Sequence, residues 1–171
     1  QKGPGAMHAP WLISLAAGIV VGGLSQFSRL CTVGGFRDLF LFKKSILIFG
    51  YLAVLVGVFL VNISFGNFHL GFENQPIAHT DGLWNFLGMA LAGFCSVLLG
   101  GCPLRQLIMT GEGNSDAAVT VLGLAAGAAF AHNFGLAASG AGPTLNGQIA
   151  VGVGFVVALI IAILNTKRAN A

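Results

Sequence analysis

The chain has 171 residues, of which 56% are hydrophobic and only 8% charged, with a mean hydropathy of +0.87. A soluble domain carries about 25% charged residues to stay dissolved, so this composition excludes one and points to an integral membrane protein with lipid as its solvent. The formal net charge of +3 concerns topology and not nucleic acid, because basic residues never run longer than two.

In chain order, "QKGPGAMHAP" (residues 1–10) lacks an initiator methionine and a signal-peptide pattern. It reads as a polar linker, as expected of a fragment or a processed product. Five stretches are then apolar enough to cross or nearly cross a hydrocarbon core, which takes about 20 residues of helix. The first, Trp11 to Phe27, is short and leads into "SRLCTVGGFRDLFLF", where a polar, glycine-bearing stretch precedes a second short helical pattern. The second span is Ser45 to Ser64. The loop after it holds His69, Glu73, His79 and Asp81 without metal-ligand spacing, so no metal is expected. The third span, Leu83 to Leu99, is again short and leads into "GGCPLRQLIMTGEG". The fourth, Ala117 to Phe134, has Asn114 or Ser115 as a good N-cap, and interfacial solvation accounts for His132 and Asn133 at its far end. The fifth is Gln148 to Leu164. The expectation is one all-α transmembrane domain over 11–165, with a cytoplasmic tail over 166–171. It has five crossing helices and two short broken or re-entrant ones. Irregular backbone at membrane depth is tolerated only inside protein or beside a water-filled cavity, and the 26 glycines suit such packing.

The distribution of basic residues orients this plan. With the C-terminus cytoplasmic, Lys167, Arg168, Arg105, Arg29, Arg37, Lys43 and Lys44 all fall inside, and the loops 65–82 and 135–147 contain no Lys or Arg. Only Lys2 lies outside. An odd number of spans means that a tandem copy would insert upside down, giving an inverted repeat. The chain is therefore a candidate for one half of a transporter.

The chemistry concentrates around cysteines. Cys31, Cys95 and Cys102 form no CxxC pair, which argues against a thioredoxin-like or zinc-knuckle motif. Cys102 is the most informative. Gly100 and Gly101 permit a tight turn, Pro103 fits the first turn of a helix, and Cys102 is placed at the N-cap or just before it. Free N–H groups there favour an anion, and Arg105 adds a cation within one turn. A small buried cysteine beside a helix start, with Arg105 merely marking the cytoplasmic side, is about equally consistent with the pattern. Cys31 repeats the theme, with Arg29, Thr32, Gly34, Gly35, Arg37 and Asp38 close by; Arg37 and Asp38 are candidates for an interfacial pair. Cys95 lies seven residues before Cys102, on the same face if the helix continues, and reads mainly as core packing. Glu112 is a candidate to balance or gate Arg105, with a surface-loop role as the alternative.

The segments "SRLCTVGGFRD" and "GGCPLRQLIMTGEG", together with "QPIAHTDGLWNFLGMALAG", resemble the YeeE/YedE family of bacterial inner-membrane proteins. That family includes thiosulfate importers, and the match is to the second half of the selenium-associated YedE-type members. The resemblance implies two inverted halves meeting in an hourglass, and cysteines that relay the solute by S–H···S hydrogen bonds. The family's relay cysteines carry over onto Cys31 and Cys102, while Cys95 has no counterpart. It also implies a cytosolic TusA-like sulfur carrier as partner, and a second family half in the same longer chain or in a partner subunit.

The expected function is transport of a small sulfur- or selenium-containing anion, without a cofactor and without enzymatic chemistry. Its pathway would draw on Cys31, Cys102, Arg29, Arg37, Arg105, Gly100 and Gly101, with Cys95 and Glu112 as further candidates. The alternatives are a membrane thiol or persulfide enzyme, and a non-transporting subunit of a larger complex.

Overall fold

A computed structural model describes residues 9–68, 70–71 and 79–169, with side chains through Thr166. Most of the polar N-terminal stretch, His69, Glu73 and the side chains of Lys167 and Arg168 lie outside the described residues. Helices in chain order are α1 (Trp11–Ser28), α2 (Thr32–Phe42), α3 (Ile46–Ser64), α4 (Gly82–Leu98), α5 (Pro103–Gly111), α6 (Ser115–Asn133) and α7 (Leu145–Ala169). Among the described residues, five segments are long and apolar enough to cross a membrane: Trp11–Phe42, Ile46–Ser64, Gly82–Gly111, Ser115–Asn133 and Leu145–Thr166. The first and third each contain a break, after α1 and after α4. The protein is thus an all-α membrane protein, and its described residues carry five such segments and two short helices, as the sequence predicts.

Local chemistry explains both breaks. At the end of α4, Gly100 takes a left-handed conformation (φ 73°), and the Gly100 and Gly101 N–H groups bond back to Val97 (3.1 Å) and Ser96 (3.1 Å). This is a Schellman closure, in which glycine avoids the Cβ penalty of the left-handed region. Pro103 then opens α5 at its first position, where a missing N–H is harmless. At the end of α1 the Arg29 and Leu30 N–H groups make the equivalent bonds to Gln26 and Ser25, both 3.2 Å. The left-handed residue there is Arg29 itself, at φ 51°. Gly66, Gly113 and Gly135 take the left-handed position after α3, α5 and α6, whereas Lys43 (φ 53°) takes it after α2, so Arg29 and Lys43 are the two non-glycine exceptions among the described residues.

The two broken spans have parallel surroundings. α2 packs on α3 and α5 packs on α6, each short helix against the span that follows it, while α4 packs on α7. Gly35 brings α2 close to the α3 backbone, since a Cβ there would lie 3.6 Å from the Ile48 nitrogen. The buried side chains are few and small or polar: Ser25, Cys102, Gln106, Ala117 and Ala158. Large apolar side chains such as Phe27 (91% exposed) and Ile46 (80%) point outward. The tightest packing therefore surrounds the breaks, and apolar surface is left for lipid or protein to cover.

Candidate functional site

Each break presents a cysteine as the N-cap of a short helix. Cys31 caps α2, and its Sγ accepts the Gly34 N–H at 3.3 Å. Cys102 caps α5, is 7% exposed, and makes no side-chain cap bond of its own. The fold brings the two together. The Cys102 thiol lies near the Cys31 side chain and the Thr32, Leu104 and Arg105 backbone N–H groups. Two thiols and the starts of two helices thus share one location, where backbone N–H groups are available to a ligand carrying negative charge.

Beside this point lies a cavity of about 740 Å³ lined by Arg29, Cys31, Gly34, Arg37, Asp38, Gly100 and Arg105, with apolar side chains including Phe36, Phe40 and Met109. Three arginines and one aspartate leave the lining net positive. Their commitments differ. Arg37 gives both Nε (3.1 Å) and Nη2 (2.9 Å) to one oxygen of Asp38, an ion pair within α2. Arg105 faces Glu112, with Nη2 3.6 Å from Oε2, and donates from Nη1 to Gln26 Oε1 at 3.1 Å. Gln26 in turn donates to Glu112, which ties α1 to both ends of α5. Arg29 has no carboxylate within ion-pair distance among the described residues.

The residues singled out in the sequence are thus arranged as follows. Arg29, Cys31, Arg37, Gly100 and Arg105 line one cavity, Gly101 and Cys102 are buried next to it, and Glu112 sits behind Arg105. Cys95 does not join them. The break at Gly100 ends the helix that would have kept Cys95 and Cys102 on one face, and Cys95 lines a separate apolar cavity of about 1250 Å³ between α4, α6 and α7. Two residues escaped the sequence reading. Gln26 bridges Arg105 and Glu112, and Gln106, only 4% exposed, donates from Nε2 to the Leu99 carbonyl at 3.0 Å across the break. Their signal was present, since an uncharged amide inside an apolar run needs a partner. Among the described residues no group of three or more His, Cys, Asp and Glu side chains is placed to hold a metal.

Comparison with known proteins adds an independent line. A family model described as sulphur transport matches residues 27–168. The chain is also similar to the thiosulfate transporter TsuA of Escherichia coli (strain K12), at 28% identity over 111 residues, covering 63% of this chain and 30% of that protein. It therefore spans about a third of that relative's length. No solved structure matches.

Proposed function

The chain belongs to the sulphur-transport family, and from that premise we propose that it forms part of an inward pathway for a small sulfur- or selenium-containing anion in the bacterial inner membrane. The observation that carries this reading is the meeting of two cysteine-capped helix starts beside a cavity with an uncommitted arginine. In the pathway, Arg29 and the free N–H groups attract the anionic oxygens, while the Cys31 and Cys102 thiols donate to a soft terminal sulfur or selenium. Each contact is weak, and a succession of weak sites favours passage over trapping. A second, inverted half covers the exposed apolar faces, either in the same longer polypeptide or as a partner subunit. The C-terminus lies on the cytoplasmic side, where a TusA-like carrier receives the solute.

Transport leaves the bonds of the solute intact, so in this reading the chain is not an enzyme. The adjacency of the thiols also favours one rival, a membrane thiol enzyme that forms a Cys31–Cys102 disulfide or a persulfide during turnover; thiol trapping under turnover separates the two. Uptake of labelled thiosulfate into cells expressing the full-length protein tests the proposal. Cys102→Ser abolishes uptake at an unchanged membrane level, and normal uptake by that variant sinks it.

A further inference from the structure

Gln26, Arg105 and Glu112 form a closed triad at the edge of the cavity, and the three members are not equally well held. Arg105 lines the cavity, whereas Glu112 does not. Glu112 is the C-cap of α5, where the unpaired carbonyls of the helix end disfavour a carboxylate. Its grip on Arg105 is an ion pair of 3.6 Å, longer than the 2.9 Å pair of Arg37 and Asp38. Gly113 follows it in a left-handed turn at φ 89°. Helix electrostatics therefore push Glu112 away from its place, and Arg105 with Gln26 retains it.

We infer that Glu112 is an internal competitor that sets the charge of the anion the cavity accepts, by occupying Arg105 until an incoming divalent anion takes that guanidinium over. The inference rests on the anion pathway proposed above. With Glu112 docked, Arg37 and Arg105 are both committed to carboxylates, and Arg29 alone is free to meet a ligand, which suits a monovalent anion. With Glu112 displaced, Arg29 and Arg105 both face the ligand, which suits a divalent one. Gln26 is the positioning residue of this arrangement. It accepts from the guanidinium and donates to the carboxylate, so it holds Arg105 at the cavity edge while leaving other N–H groups for the ligand.

The test is calorimetric binding of thiosulfate, a dianion, and of thiocyanate, a sulfur-bearing monoanion, to the purified full-length protein. Wild type is compared with Glu112→Gln and Glu112→Asp. Coulomb interaction with the removed carboxylate scales with ligand charge, so E112Q tightens thiosulfate by about tenfold and thiocyanate by about threefold. E112D keeps the carboxylate and therefore the wild-type ratio of the two affinities. Equal gains for both anions, no gain for either, or a gain in E112D matching that in E112Q overturns the competitor role. Failure of wild type and both variants to bind either anion overturns the pathway reading itself, which is a different result. Loss of an unfavourable charge at a helix end leaves α5 intact, so E112Q elutes and melts as wild type does.

Discussion

Replacing Gln106 with leucine tests whether a single side chain holds the α4–α5 break. The Gln106 amide is 4% exposed and donates to the Leu99 carbonyl at 3.0 Å, while the N–H groups of Gly100 and Gly101 already close the end of α4. Leucine is close to glutamine in volume, so little cavity opens. What is lost is one hydrogen bond whose acceptor remains behind, at a cost of about 1–3 kcal/mol. At about 2–4 °C per kcal/mol for a chain of roughly this size, a mid-range loss lowers the melting temperature by about 4–8 °C. The assay is a thermal scan of the purified full-length protein in detergent, with mass-spectrometric alkylation of each cysteine as a local probe. Cys102, 7% exposed in the intact break, alkylates faster in Gln106→Leu, and Cys95 on the other cavity does not change. An unaltered melting temperature together with unaltered Cys102 alkylation refutes the reasoning and assigns the break to the glycines alone.

Other positions give outcomes of different kinds. Arg29→Gly removes a side chain from a left-handed position (φ 51°) and stabilises the fold by about 1 kcal/mol, while thiosulfate uptake falls because the uncommitted cation is gone; a melting scan and an uptake assay on the same variant check the split. Gly147→Ala puts a Cβ 2.6 Å from the Leu136 carbonyl oxygen, which cannot move freely, whereas a Cβ at Gly57 meets nothing within 4 Å. The first substitution destabilises, and the second, in mid-helix, is neutral or stabilising by up to about 1 kcal/mol, as read from paired thermal scans. Asn114→Ala deletes the cap that accepts the Ala117 N–H at 2.9 Å and lowers stability by about 1 kcal/mol in the same assay.

Much of the fold was legible because the punctuation is strong. Gly100 can end a helix in a left-handed turn and Pro103 can begin one, so the second break, its N-cap at Cys102 and its short helix follow from a few letters. The first break was legible as a polar interruption but not in detail. Thr32 is by propensity the better cap, yet the structure puts Thr32 inside α2 and gives the Gly34 N–H to the Cys31 sulfur. The use of Arg29 after α1 and Lys43 after α2, where α3, α4, α5 and α6 close with glycine, is not a local preference and could not be read from the chain. Periodicity misleads at Cys95, because a spacing of seven means one face only while the helix lasts, and it stops at Leu98. At α7 the sequence expectation begins three residues late, since Asn146 and Gly147 look like loop. There the Thr144 hydroxyl accepts the Gly147 N–H at 3.0 Å and starts the helix early. The Arg37–Asp38 and Arg105–Glu112 pairs follow from opposite charges at short separation. The approach of Cys31 to Cys102 is a long-range contact that spacing does not encode.

In the proposed pathway Cys31 and Cys102 act together on the solute and Cys95 does not. Flux of labelled thiosulfate through the purified full-length protein in liposomes tests it most directly, with wild type, Cys31→Ser, Cys102→Ser and Cys95→Ser reconstituted at equal amounts. Serine at position 31 keeps an acceptor for the Gly34 N–H, so a loss there reports the sulfur and not the helix cap. Flux is expected to be lost in Cys31→Ser and in Cys102→Ser and retained in Cys95→Ser. Equal flux in all four proteins, or loss in Cys95→Ser alone, contradicts it.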